Sequence, residues 1–256
     1  MAKIRKISLA AVSVLLSALL ILSGFMIYKE LSDRQKEKED FAELAELVQI
    51  EPSDNRHPDE PNTSDDDDTE PAHRRDLAPL FAQNGDCIGW ICIPDTEVDY
   101  PVMHTPKNPQ KYLRRNFYGE YSVSGVPFLD GRCGMDSDNL IIYGHNMRND
   151  TMFGSLPKYM EQDYRQAHPV IEFETEAGCA EYTVFAVVTV KKYDDWYGFI
   201  KAADREEYEK QLETIRSKAL YCADIIPEYG CQLLTLSTCY DSANDGRLLI
   251  IAVNTQ

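Results

Sequence analysis

Basic residues are scarce in this chain. Among 256 residues there are 26 Lys or Arg against 43 Asp or Glu, a net charge of −17. Gripping phosphates needs Lys and Arg, so nucleic acid is excluded as a partner. Seven cysteines are too few, and an odd number, for a disulfide scaffold of this length, although a Cys222–Cys231 bridge is conceivable outside a cell. There is no C-x-x-C pair and no H-E-x-x-H, so no metal site is expected. No Gly-rich phosphate loop and no internal repeat occur. The run Asp65 to Asp68 lacks the spaced ligands and Gly turn of a calcium loop. Charge itself is missing from Ile7 to Tyr28.

That uncharged run would span roughly 33 Å as a helix, enough to cross a bilayer. Lys3, Arg5 and Lys6 precede it, which keeps the N-terminus cytoplasmic and places the chain after Tyr28 outside. The run is too long for a signal-peptide core, and no Ala-x-Ala-like site succeeds it, so an uncleaved anchor is expected. Leu31 to Ile50 is charge-rich, with Phe41, Leu44, Leu47 and Val48 at near-helical spacing. Glu51 to Asp76 is rich in Pro and Asp and reads as a solvated spacer. The expected organisation is a cytoplasmic tail at 1–6, an anchor at 7–28, an extracytoplasmic helix and acidic linker at 29–76, and a folded domain at 77–256.

The rest has what a core requires: apolar residues make up 43% and aromatics 10%, with 15 Tyr. Short apolar runs predict strands at Ile88–Cys92, Val98–Val102, Leu140–Tyr143, Val170–Phe173, Glu181–Lys191, Cys231–Thr238 and Arg247–Val253. Many short strands with irregular loops predict a mainly β fold, a barrel or sandwich. Two helices interrupt them. Phe153–Arg165 is short. Asp204–Tyr221 is longer, with Tyr208, Leu212, Ile215 and Ala219 on one face and an Asp204/Glu207 capping box.

Chemistry concentrates at strand ends. Cys239 closes Leu233 to Thr238, before the polar loop Asp241–Gly246. His145 closes Leu140 to Gly144, and Arg247 opens the last strand across the loop from Cys239. A thiolate is a nucleophile, an imidazole moves protons, and a guanidinium offers forked donors to an oxyanion. Together they suffice for acyl transfer without any cofactor.

The segment Thr235-Leu236-Ser237-Thr238-Cys239 with Arg247, and Tyr143-Gly144-His145-Asn146-Met147 upstream, resembles the active-site signature of the sortases. Ile88 to Ile91 with Val98 to Val102, Tyr112-Leu113, Pro127-Phe128-Leu129-Asp130 and Thr151-Met152-Phe153-Gly154 are similar to class B members. The resemblance implies a closed β-barrel with peripheral helices, the long one lying between two late strands, and it covers residues 77–256. It implies a membrane-anchored cysteine transpeptidase of Gram-positive bacteria, in which Cys239 attacks the Thr carbonyl of a C-terminal Pro-x-Thr-type sorting motif on a surface protein. His145 would be the general acid/base and Arg247 the brace for substrate and oxyanion. Tyr143, Ser237 and Leu113 would line the substrate groove. The family's Asn four residues before that Leu is displaced here, since Asn108 stands five before it. The thioester would be resolved by an amine of the lipid-linked peptidoglycan precursor, or alternatively by a pilin Lys. A cysteine hydrolase of another fold and a non-catalytic surface adaptor are the readings from other classes.

Overall fold

The computed structural model describes residues 2–48 and 75–254. The chain divides into two units, Met1–Leu44 and Ala45–Gln256. In the first, a single helix α1 (Ala2–Leu47) runs without a break at Tyr28, so the expected anchor and the expected membrane-proximal helix are one element. Among the described residues it is the helix long and apolar enough to cross a membrane. The expected acidic spacer lies, over residues 51–74, outside the described residues.

The second unit opens with α2 (Ala78–Gln83), a short helix with Pro in its first turn that the sequence pattern does not announce. Its strands are β1 (Cys87–Cys92), β2 (Asp99–Met103), β3 (Phe128–Leu129), β4 (Asn139–Tyr143), β5 (Val170–Thr175), β6 (Gly178–Lys191), β7 (Ala219–Cys222), β8 (Leu233–Cys239) and β9 (Gly246–Asn254). They are ordered β5-β1-β2-β3-β4-β8-β9-β6-β7, and a further β5–β6 pairing closes the first eight into a barrel. β6 serves both edges because it is 14 residues long. Its first half pairs with β5 and its second half with β7, while β9 takes the opposite edge. The expected mainly β barrel is therefore present. β3 and β7 are additions: two residues are too few to show a period, and Ala219 and Tyr221 fall within the expected helix.

The short helix expected at Phe153–Arg165 is two pieces. A 3-10 turn, Leu156–Met160, and α3 (Gln162–Ala167) are separated by Glu161, whose backbone is extended (φ −93°, ψ 126°). α4 (Arg205–Lys218) occupies most of the long expected helix. It starts where Asp204 accepts the Glu207 N–H at 2.9 Å, while the Glu207 carboxylate accepts from the Ala203 N–H, one residue earlier than a reciprocal capping box has it. It stops three residues short because Ala219 turns extended and its strand pairs with β6.

β8 and β9 are buried on both faces, which explains their near-continuous apolar runs. Leu234, Leu236, Leu248 and Ile250 point into the barrel. Leu233, Leu249, Ile251 and Val253 point outward, where Tyr208, Leu212 and Ile215 of α4, with Trp196 and Phe199, cover them. Trp196 fixes this layer by donating its indole N–H to Thr235 at 3.1 Å. Ser237, Cys239 and Arg247 continue the same outer face beyond the helix cover, because strand side chains alternate with period two. Cys222 and Cys231 are both unpaired thiols.

Ile215 is fully buried in the α4 layer. Ile215→Ala removes that packing and lowers unfolding free energy by about 2–5 kcal/mol, read as an earlier midpoint in chemical denaturation followed by circular dichroism.

Candidate active site

The site is built by a parallel strand pair and a hairpin. β4 and β8 run parallel, with Tyr143 beside Ser237. Two residues further, His145 and Cys239 leave the ends of adjacent strands on the same face. β8 and β9 form an antiparallel pair in which Cys239 lies directly opposite Arg247, so their Cβ atoms are about 4.5–5.5 Å apart. The connecting loop is held by its own polar groups. The Gly246 and Asn244 N–H groups both bond the Asp241 carbonyl, and the Asn244 amide donates to the Asp241 carboxylate.

Bonds beyond the ladder hold the two strand ends together. The Gly144 N–H donates to the Ser237 carbonyl at 3.1 Å. The Thr238 hydroxyl donates to the Gly144 carbonyl at 2.9 Å, and the Asn146 amide donates to the Cys239 carbonyl at 2.8 Å. Gly144 also has a packing role. A Cβ there would sit 2.5 Å from the Phe153 ring, so only glycine lets the ring buttress this strand end. The Phe153 N–H in turn donates to the His145 carbonyl.

His145 is half-buried, and its Nε2 lies 2.8 Å from the Leu113 carbonyl oxygen. A carbonyl only accepts, so Nε2 carries the proton. In the neutral ring Nδ1 is then the free base. Burial lowers the imidazole pKa below its ordinary value; the Leu113 carbonyl opposes this, and Arg114 adds to it.

All six residues singled out in the sequence, Leu113, Tyr143, His145, Ser237, Cys239 and Arg247, line one groove of about 650 Å³. Asn108 does not line it; its neighbours Pro109 and Gln110 do. The sequence reading missed Asp130, Arg132 and Tyr197 as groove residues, and gave Asn146 no role. The Asp-x-Arg spacing after a short strand is the signal that could have found the first two. Among the other thiols, burial pushes Cys87, Cys133 and Cys179 up to about 11 and Cys92 to about 12. No group of His, Cys, Asp and Glu among the described residues has a metal-binding arrangement.

A closed barrel that brings a Cys, a His and an Arg from neighbouring strand ends to one groove has the residue types for cysteine-based acyl transfer, and comparison with known proteins places the chain in a family of cysteine transpeptidases. A family model described as the sortase domain matches residues 91–255. Sortase B of Listeria monocytogenes is 33% identical over 182 residues, covering 69% of this chain and 73% of that protein. Among solved structures, sortase B from B. anthracis in complex with AAEK1 superposes with a TM-score of 0.70 at 29% identity, covering 88% of this chain and 98% of that one. A Staphylococcus aureus sortase B–substrate complex superposes with a TM-score of 0.65 at 27% identity, covering 70% and 85%. The chain belongs to the sortase family and, within it, to class B.

The imidazole environment gives a direct check. The His145 titration midpoint, followed by NMR of labelled histidine in the full chain, falls below the ordinary value of 6.5. The sign comes from burial, which favours the neutral ring. A midpoint at or above 6.5 would contradict the burial of the ring.

Proposed function

We propose that this sortase cleaves a C-terminal sorting motif of the Pro-x-Thr type after Thr and transfers the protein to an amine of the cell-wall precursor. The observation that carries this is the convergence of His145, Cys239 and Arg247 on one groove from three neighbouring strands. The Cys239 thiol gives its proton to Nδ1 of His145, and the sulfur attacks the Thr carbonyl. Arg247 donates to the oxygen as it takes on negative charge. The C–N bond breaks, His145 returns the proton to the leaving amine, and a thioester remains on Cys239. An incoming amine attacks that thioester, loses its proton to His145 and restores the thiol.

Tyr143, Ser237 and Leu113 contact the peptide along the groove. The presence of a substrate complex for the related S. aureus sortase B supports peptide binding by this fold. Helix α1 anchors the enzyme, with Lys3, Arg5 and Lys6 on the cytoplasmic side and the barrel outside, where exported substrates and a lipid-linked acceptor meet it. Wall anchoring is the reading taken over pilus assembly, because class B members usually anchor.

The full chain in detergent micelles, offered a panel of Pro-x-Thr peptides, gains an acyl adduct on Cys239 by intact-mass spectrometry. Hydroxylamine discharges it as peptide hydroxamate. Cys239→Ala forms no adduct, and His145→Ala and Arg247→Ala slow its formation at least about 100-fold. If no peptide in the panel forms an adduct while circular dichroism reports an intact fold, the assignment is wrong.

A further inference from the structure

One wall of the groove is aromatic. Phe128, Tyr143 and Tyr197 stand in a row, with ring centroids 5.5 Å and 6.0 Å apart. Tyr143 ends β4, two residues before His145. Tyr197 belongs to a separate part of the chain, a 3-10 turn (Asp195–Gly198) between β6 and α4. Contact between ring faces sets spacing only loosely, so the wall needs directional bonds to hold one width.

Those bonds come from the β3–β4 loop. The Asp130 carboxylate is nearly buried and takes the Arg132 guanidinium in a fork, Nε to Oδ1 at 2.9 Å and Nη2 to Oδ2 at 2.7 Å. It also accepts the Arg132 backbone N–H at 3.0 Å and the Tyr143 hydroxyl at 2.8 Å. Burial by itself would raise the Asp130 pKa. The fork, the N–H and the hydroxyl outweigh it and hold the carboxyl below its ordinary value, so the group is ionised. Arg132 Nη2 also donates to the Tyr197 carbonyl at 2.7 Å. The Tyr197 hydroxyl then pairs with Ser237 Oγ at 2.8 Å, two residues before Cys239. One network therefore joins the ends of β4 and β8 to the turn ahead of α4.

Stability alone is a weak reason for this pair. The Arg132 side chain is 57% exposed, and ion pairs open to water add little to folding. What the guanidinium does here is grip both Asp130 oxygens through Nε and Nη2 while Nη2 also reaches the Tyr197 carbonyl, a geometry fixed because its donors lie in one plane.

We propose that Asp130 and Arg132 are positioning residues that set the distance between Tyr143 and Tyr197, and so the width of the groove that receives the acyl-donor peptide. The inference rests on the transpeptidase reading of that groove. The pair touches none of the reacting atoms. Cys239 and Arg247 stand on β8 and β9 and His145 follows β4 by two residues, and the ladders of these strands are backbone bonds that the pair does not make. Its loss therefore weakens binding of ground state and transition state alike, which appears in KM and leaves kcat.

The test uses the full chain in detergent and the Pro-x-Thr peptide that acylates Cys239 best. Arg132→Ala raises KM about tenfold with kcat within about twofold of wild type. Arg132→Lys recovers only part of the loss, since an ammonium cannot fork. Tyr143→Phe keeps the ring and loses the hydroxyl; added to Arg132→Ala it raises KM little further. Arg132→Gln replaces Arg132→Ala if thermal melting shows that the latter does not fold. A second readout needs no substrate. With 3-fluorotyrosine placed at Tyr143 or Tyr197, Arg132→Ala shifts and broadens the fluorine resonances. The proposal is overturned if KM rises less than about twofold, if kcat falls while KM holds, or if the fluorine lines match wild type. If no peptide acylates the wild-type enzyme, the functional reading fails separately, and the fluorine lines alone decide whether the pair holds the wall.

Discussion

The parallel pairing of β4 with β8 is the constraint on which the site depends. Parallel neighbours cannot be joined by a tight turn, and the chain between these two carries β5, β6, α4 and β7. The Thr238–Gly144 hydrogen bond, for example, closes a separation of 94 residues. Register matters because side chains alternate. Slipping β4 by one residue would put Tyr143 and His145 on the barrel-interior face and leave Cys239 without an imidazole beside it. The interior leucines and isoleucines on both strands oppose such a slip, so the packing of the core and the alignment of the site are one selection.

That arrangement also accounts for how much could be read from sequence alone. Cys239, His145 and Arg247 were visible because being at a strand end before a polar loop is a local property. The Cys239–Arg247 pairing was visible because its loop is short. The choice of β4 as the partner of β8 was not, since nothing near either strand names the other. β3 escaped because two residues carry no period. Ala219 fell on the helical spacing of Tyr208, Leu212 and Ile215, and only pairing with β6 overrode it. The Arg132 contact to Tyr197 spans 65 residues and involves a backbone carbonyl, which no side-chain pattern announces.

Charge is arranged against the average of the chain. The protein is strongly acidic, yet the groove is lined by Arg132, Lys192 and Arg247 with Asp130 as its lone carboxylate, and that carboxylate is already engaged by Arg132 and Tyr143. Lys192 is likewise paired, with Asp245, so in the proposed reaction the cation left for a developing oxyanion is Arg247, directly opposite Cys239. The acidic excess of the chain therefore lies elsewhere than in the groove lining.

The seven thiols are chemically unequal. Four of them, Cys87, Cys92, Cys133 and Cys179, are pushed by burial into a range where the thiolate is hardly populated at neutral pH. Cys222, Cys231 and Cys239 are half-buried, and of these Cys239 lines the peptide-sized groove, so an electrophile carried on a peptide-shaped scaffold is delivered to Cys239 by the groove rather than by thiol chemistry.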